Sequence, residues 1–241
     1  MNRNYICVYD FETTSKKWDS CQPTQIASVM IEPRKLEIVE GSVFNSLIKP
    51  EFDEEKCKAL NLDPPTEQVL KLTHKTPEEL QKAPILKQVW GSFVDYAKKY
   101  NVGTSGWDLP VRAGFNIFGY DNKIMDRLAK EFGPYDDEYK SQKAFHPLHS
   151  IDIMNFMWML TENARINKTN SISMDNLRIW LGMPKDGAHD ALNDVIDCAE
   201  LLIRIIKLNR KVTGGMDCVH CKQSVKVKLQ GSLAGFKRPS L

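Results

Sequence analysis

Apolar residues run from Tyr5 to Val8 at the start of the chain, and the run predicts a buried strand that ends in Asp10-Phe11-Glu12-Thr13. Strand side chains alternate, so Asp10 and Glu12 project from one face. β-branched and apolar residues over Gln25–Ile31 and Lys35–Ile48, broken at Pro33-Arg34, predict two more strands joined by a turn, giving an antiparallel meander with residues 5–10. The acidic, proline-bearing stretch 51–65 reads as a connection.

Helical spacing takes over after that. Pro77-Glu78-Glu79-Leu80, preceded by Thr76 as N-cap, predicts a helix start. Leu86, Val89, Trp90, Phe93, Val94 and Ala97 predict a helix over 85–99, followed by a glycine-containing loop over 102–110 and a short strand over 111–115. Further helices are predicted over 121–132, ended by Gly133-Pro134, then over 152–160 and 173–181 after a charged linker reaching Lys143. The last helix starts near His189; Ala191, Leu192, Val195, Ile196, Ala199 and Leu202 form its apolar face, while Asp190, Asp194 and Asp197 share another side. Strands first, then helices alternating with short strands, predict an α/β fold: a mixed sheet with helices on both faces.

Composition excludes several classes. With 42% hydrophobic and 27% charged residues the chain reads as an ordinary globular protein, and no apolar stretch approaches the roughly 18 residues of a membrane span. A strand starting near residue 5 leaves no room for a secretory signal, and six scattered cysteines do not form a disulfide framework, so the expected location is the cytoplasm, or a host's cytoplasm for a viral protein. The net charge of +2 is uneven: residues 211–241 carry six Lys or Arg and one acid, which leaves the rest near −3. The expected division is therefore a domain over 1–210 and a basic extension over 211–241. Such an extension attracts phosphate backbones through counterion release, although many basic tails are only solvated.

The paired acids bear on chemistry. Two carboxylates about 4 Å apart repel by roughly 4 kcal/mol at an effective dielectric near 20, so a tight pair needs a proton, water or a cation, and hard oxygen donors favour magnesium or manganese. An isolated Asp-x-Glu is equally what a turn cap beside a solvated acid looks like, and three acids on a helix need no metal. Cys218-Val219-His220-Cys221 is half a zinc site, which Cys57 or another chain would have to complete. His74, His146 and His149 are read as structural or surface residues.

Three motifs in order change the reading. Asp10-Phe11-Glu12-Thr13, Asn116-Ile117-Phe118-Gly119-Tyr120-Asp121 and His189-Asp190-Ala191-Leu192-Asn193-Asp194 each sit at the edge of a predicted element. With Leu72–Pro77 and Ser173–Leu177 between them, the chain over about residues 5–207 resembles the DnaQ-like, or DEDDh, 3'-to-5' exonucleases of the ribonuclease H-like superfamily. The spacing from Asn116 to Asp121 is one residue longer than in the commonest short form of the motif.

The resemblance implies that Asp10, Glu12, Asp121 and Asp194 hold two Mg²⁺ ions, with Mn²⁺ as a substitute, and that His189 is the general base. Asp194 ranks above Asp190 on spacing. It also implies a terminal nucleotide against the backbone of Phe11, Glu12 and Thr13, so Phe11, Thr13 and Asn116 are the candidate substrate contacts; the Phe11 ring is equally a core residue. Lys16, Lys17 and Trp18 are candidates to meet the strand by charge and stacking, or are a solvated loop.

The implied substrate is the 3' end of single-stranded DNA, slightly favoured over RNA, with nucleoside monophosphates as products. The implied setting is a stand-alone enzyme or a proofreading subunit, whose tail, with Ser224–Leu229 as a short strand, would guide nucleic acid or dock on a polymerase or other replication partner. The competing readings are a catalytically silent nucleic-acid-binding or scaffold module of the same fold, and an unrelated protein with an acidic surface.

Overall fold

The computed structural model describes residues 4–138, 140–163, 172–183 and 190–212. Its first strand, β1 (Ile6–Thr13), pairs antiparallel with β2 (Pro23–Glu32) from Ile6 opposite Ile31 to Glu12 opposite Gln25, and then the register shifts at Thr13. The predicted strand over 35–48 is instead two short ones, β3 (Glu37–Ile38) and β4 (Phe44–Leu47), both antiparallel to β2. Gly41 separates them at φ +71°, and the Ser42 hydroxyl accepts from the Met30 N–H at 3.1 Å, so the chain leaves the ladder and rejoins it lower down.

The next segment departs from the predicted connection. It holds α1 (Glu54–Ala59), capped by Asp53, and α2 (Glu67–Leu72), capped by Thr66. Cys57 is the one buried residue in α1 and α2 has none, so neither helix shows the periodic apolar stripe that would mark it. α3 (Pro77–Lys82) starts as expected, with a reciprocal capping box between Thr76 and Glu79. α4 (Leu86–Lys98) follows.

β5 (Val111–Gly114) then pairs parallel with β1, and α5 (Asp121–Phe132) begins at the third candidate acid. The charged linker contains a small hairpin of β6 (Tyr135–Asp136) and β7 (Ser141–Gln142). Three residues, Ser150–Asp152, form β8 parallel to β5, too short a stretch for alternation to reveal. α6 (Ile153–Asn163), α7 (Met174–Leu181) and α8 (Ala191–Val212) complete the described chain. The main sheet is ordered β3-β2-β1-β5-β8, with β4 beside β2.

Alternation along β1 separates two cores. Cys7, Tyr9 and Phe11 face a cluster that includes Trp90 and Phe93 of α4 and Met125 and Leu128 of α5. Ile6 and Val8 face the opposite cluster, built on Met157 of α6, Leu177 of α7 and Val195 and Leu202 of α8. Each large apolar side chain fully removed from water contributes roughly 1.5–3 kcal/mol, so both layers hold the sheet from either side. Among the described residues no helix is long and apolar enough to cross a membrane.

Gly114 ends β5 where the backbone of β1 is closest. A Cβ there would lie 2.8 Å from the Tyr9 carbonyl oxygen and 2.4 Å from Ile117 Cγ2. Gly114→Ala is therefore expected to cost about 1–3 kcal/mol and to lower Tm by roughly 2 °C or more in a thermal melt. An unchanged Tm would mean that the β1–β5 contact yields without strain.

Candidate active site

The parity that buries Ile6 and Val8 under α8 also sends Asp10 and Glu12 to that face, one and two steps further along β1. On α8, the apolar residues Ala191, Val195 and Cys198 pack on the sheet and bring Asp194 over the end of β1. Carboxylate oxygens of Asp10, Glu12 and Asp194 lie within 4.8 Å of one another, and all three residues are half-buried. The register shift after Glu12 sits at the rim of this cluster, a usual place for a bulge that re-aims a strand end.

Asp121 arrives from a third element. Its Oδ1 accepts the Phe11 N–H at 3.3 Å, which ties the first turn of α5 to the backbone between the two β1 acids. Buried Asp152, at the end of β8, shapes the approach: it accepts from the N–H groups of Asn116 and Phe118, each at 3.1 Å, and of Met154 at 3.0 Å. That grip stabilises a loop in which Asn116 adopts φ +59°. Tyr120 closes the other side, its hydroxyl hydrogen-bonded to the Thr13 hydroxyl at 2.6 Å and to the Ser15 carbonyl oxygen.

Burial first, and neighbouring negative charge second, raise the carboxyl groups of Asp10, Glu12 and Asp121 above their ordinary range. Asp10 lies well above the ordinary carboxylate range, because of burial first and then the charges of Asp121, Glu12 and Asp194. Burial, followed by Asp194, pushes Glu12 up to about 8 against the opposing pull of Lys75. Asp121 is pushed up to about 7, chiefly by burial, although its hydrogen bond from Phe11 N–H counteracts this. Four carboxyl groups from β1, α5 and α8, all oxygen donors, form a set that suits a hard divalent cation such as Mg²⁺ or Mn²⁺.

Two cations of the protein border the cluster. Lys75, with a side chain only 9% exposed, binds Asp190 at 3.0 Å, and Gln25, opposite Glu12 in the β1–β2 ladder, donates to the same oxygen at 3.3 Å. Although burial acts to raise it, the Asp190 carboxyl stays below its ordinary value because of these two hydrogen bonds. Asp190 is thus held in an ion pair just before α8, while Asp194 joins the cluster. On the far side, Arg178 of α7 binds Asp194 at 2.5 Å. Neither Lys75 nor Arg178 was singled out by the sequence, where Lys75 was one position in a loop motif and Arg178 one polar residue of a helix.

The remaining candidates divide. Phe11 is 5% exposed and packs edge-on to Tyr9 at 6.0 Å, which is the core alternative for its ring and leaves its backbone at the site. Thr13 is half-buried and Asn116 exposed, both on the site's rim. His189, Cys218, Cys221 and the segment 224–229 lie outside the described residues. His146 is buried, and its Nδ1 accepts the N–H groups of Leu148 and His149, a structural role within its loop.

These shifts have a consequence for stability. Glu12 titrates near 8 rather than 4.5, and Asp121 near 7 rather than 3.8. Between those values the folded chain binds more protons than the unfolded one, so stability falls as pH rises from about 4 to 8. In EDTA, Tm is expected to drop across that window, and Asp10→Asn is expected to raise Tm at pH 8 by roughly 2–4 °C for each kcal/mol of repulsion removed. Added Mg²⁺ should stabilise wild type at pH 8 and have little effect on Asp10→Asn; equal shifts in both would detach these acids from metal binding.

No protein-family model matches this chain, and no curated protein sequence does. Solved structures do. Cell-death related nuclease 4 (CRN-4) superposes with a TM-score of 0.64 at 16% identity over 85% of this chain and 64% of that one. E. coli exonuclease I, in complex with a dT13 oligonucleotide, gives 0.63 at 15% identity over 87% of this chain and 44% of that one. A 3'-exonuclease described for 3'-end specific recognition of a histone mRNA stem-loop gives 0.60 at 17% over 86% and 83%. The chain thus spans under two thirds of CRN-4 and under half of exonuclease I. With its mixed sheet and helices on both faces, the chain shares the ribonuclease H-like fold of these nuclease structures.

Proposed function

We propose that this protein is a metal-dependent 3'-to-5' exonuclease that hydrolyses the terminal phosphodiester of a single strand and releases nucleoside monophosphates. The observation that carries the reading is the meeting of Asp10, Glu12 and Asp194 within 4.8 Å, beside Asp121, at the end of β1 in this fold. A hard divalent pair held by Asp10, Glu12, Asp121 and Asp194 would supply activation of the attacking water and neutralisation of charge at phosphorus. The chain's own groups do the rest. The four carboxyl groups set the charge that such ions would neutralise. His189, next to the fixed Asp190, is assigned as the group that takes the proton from the attacking water; an imidazole with a pKa near 6.5 is suited to that at neutral pH.

The surface beside the site supports a single-stranded substrate. Trp18 is 41% exposed with Lys123 Nζ 5.4 Å from its ring centroid, Phe118 is 48% exposed, and Lys16 and Lys17 are exposed on the loop that the Tyr120 hydroxyl fastens to α5. Aromatic faces and cations together are what unpaired bases and their phosphates bind. Of the similar structures, E. coli exonuclease I is described with dT13 and dA16 oligonucleotides and in a zinc-bound complex with single-stranded DNA, which makes DNA the first sugar to test and RNA the second. Within this reading, residues 1–210 form the exonuclease domain and 211–241 a basic extension drawn to phosphate backbones.

End-labelled single strands of DNA and RNA, incubated with Mg²⁺ or Mn²⁺, test the proposal. Wild type is expected to shorten them from the 3' end, EDTA and Asp10→Ala to abolish shortening, and His189→Ala to slow it by roughly 10²-fold or more. Wild type that binds the strands yet leaves them intact would instead establish a silent binding module. Separately, Trp18→Ala is expected to weaken oligonucleotide binding by about 1–3 kcal/mol, measured by anisotropy with Ca²⁺ in place of Mg²⁺; unchanged binding would place the strand elsewhere.

A further inference from the structure

We propose that Arg178 is a positioning residue for the acid cluster, fixing the Asp194 carboxylate where Asp10 and Glu12 can share a divalent ion with it. The proposal rests on the metal-site reading above. Arg178 is 2% exposed, and three of its nitrogens each meet a different acid: Nη2 meets Asp194 at 2.5 Å, Nε meets Asp197 at 2.6 Å and Nη1 meets Asp175 at 3.1 Å. Asp175 stands three residues earlier on α7, whereas Asp194 and Asp197 stand one helical turn apart on α8.

The number and direction of these bonds exceed what a pin between two helices requires. One carboxylate would compensate a buried guanidinium; here there are three, and one of them belongs to the cluster with Asp10 and Glu12. A guanidinium also differs from an ammonium in presenting its N–H groups as a rigid planar fork. Bonds to Asp175 and Asp197 orient that fork, so its remaining edge fixes where the Asp194 carboxylate can sit. A carboxylate has two oxygens and about four acceptor directions, so the Arg178 bond leaves capacity for an ion. Partners that orient a metal ligand in this way typically account for 10–100-fold in metal affinity.

The positive charge of Arg178 works in the opposite sense, because it repels a divalent ion bound at the same carboxylate. Removing the whole side chain would mix the two effects. Arg178→Lys separates them: the charge stays and the fork goes.

Mn²⁺ binding to the full chain, measured by electron paramagnetic resonance of the free ion, with Tm in EDTA alongside, provides the test. Arg178→Lys is expected to raise the Mn²⁺ Kd at least about 10-fold. Asp197→Asn, which loosens the same cluster but keeps the Arg178–Asp194 bond, is expected to lower Tm and leave Kd close to wild type. The double variant Asp175→Asn with Asp197→Asn, which weakens both bonds that orient the fork, is expected to raise Kd in the same direction as Arg178→Lys, and it stands as a test of its own if the lysine variant does not fold.

Arg178→Lys that melts earlier yet binds Mn²⁺ as wild type does would reduce Arg178 to a helix pin. A comparable loss of affinity in Asp197→Asn alone, or an unchanged Kd in the folded double variant, would trace the effect to packing and overturn the proposal as well. Wild type that takes up no Mn²⁺ would sink the metal site itself, an outcome distinct from either.

Discussion

A strand cannot turn two neighbouring side chains the same way, and this protein depends on that constraint in β1. Even positions from Ile6 to Glu12 face α8, while Cys7, Tyr9 and Phe11 face α4 and α5. The first half of the strand therefore locks two cores together and the last half delivers two acids to one of them. A slip of one residue against β2 would drive Asp10 and Glu12 into the aromatic cluster around Phe93 and expose Tyr9 and Phe11. Register and site are thus the same property of one strand, and the antiparallel ladder that fixes it, eight residue pairs long, is the most extensive in the described sheet.

Charge is the second constraint and it opposes the first. Hydrophobic packing of α8 brings Asp194 against acids that repel it, so packing energy is held against electrostatic repulsion. The protein moderates the conflict with its own groups: Lys75 lowers the repulsion felt by Glu12, Arg178 that felt by Asp10, and the Phe11 N–H that felt by Asp121. None of these cancels it, since all three acids stay above their ordinary values. A site balanced this way gains most from a bound cation and is least stable without one, a common cost of function for folded stability.

Much of this was legible in the sequence, for reasons specific to each element. α4, α5 and α8 show apolar stripes because one face of each packs on the sheet, and β1 and β2 show apolar runs because both their faces are covered. α1 and α2 left no stripe because they bury almost nothing, and β8 is too short to alternate. At the site, Asp10 and Glu12 were paired by strand period, whereas Asp121 and Asp194 came from motif resemblance. Lys75 and Arg178 were illegible for a different reason: their partners lie 115 and 16 residues away, and only the fold brings them into contact.

This division clarifies what the structural likenesses contribute. At 14–17% identity the shared property is a fold, and a fold hosts many activities. Asp10, Glu12, Asp121 and Asp194 are placed by that fold, each at the end of β1 or at the start of a helix packed beside it. Lys75 and Arg178 are placed by loops and a short helix around it, where insertions and substitutions are tolerated most readily. The attraction for a hard cation follows from the acids gathered at the end of the sheet. How tightly Asp194 is held and how strongly Glu12 ionises follow instead from the bordering cations Arg178 and Lys75. The chemistry is set by the sheet, and its tuning by what is packed around the sheet's end.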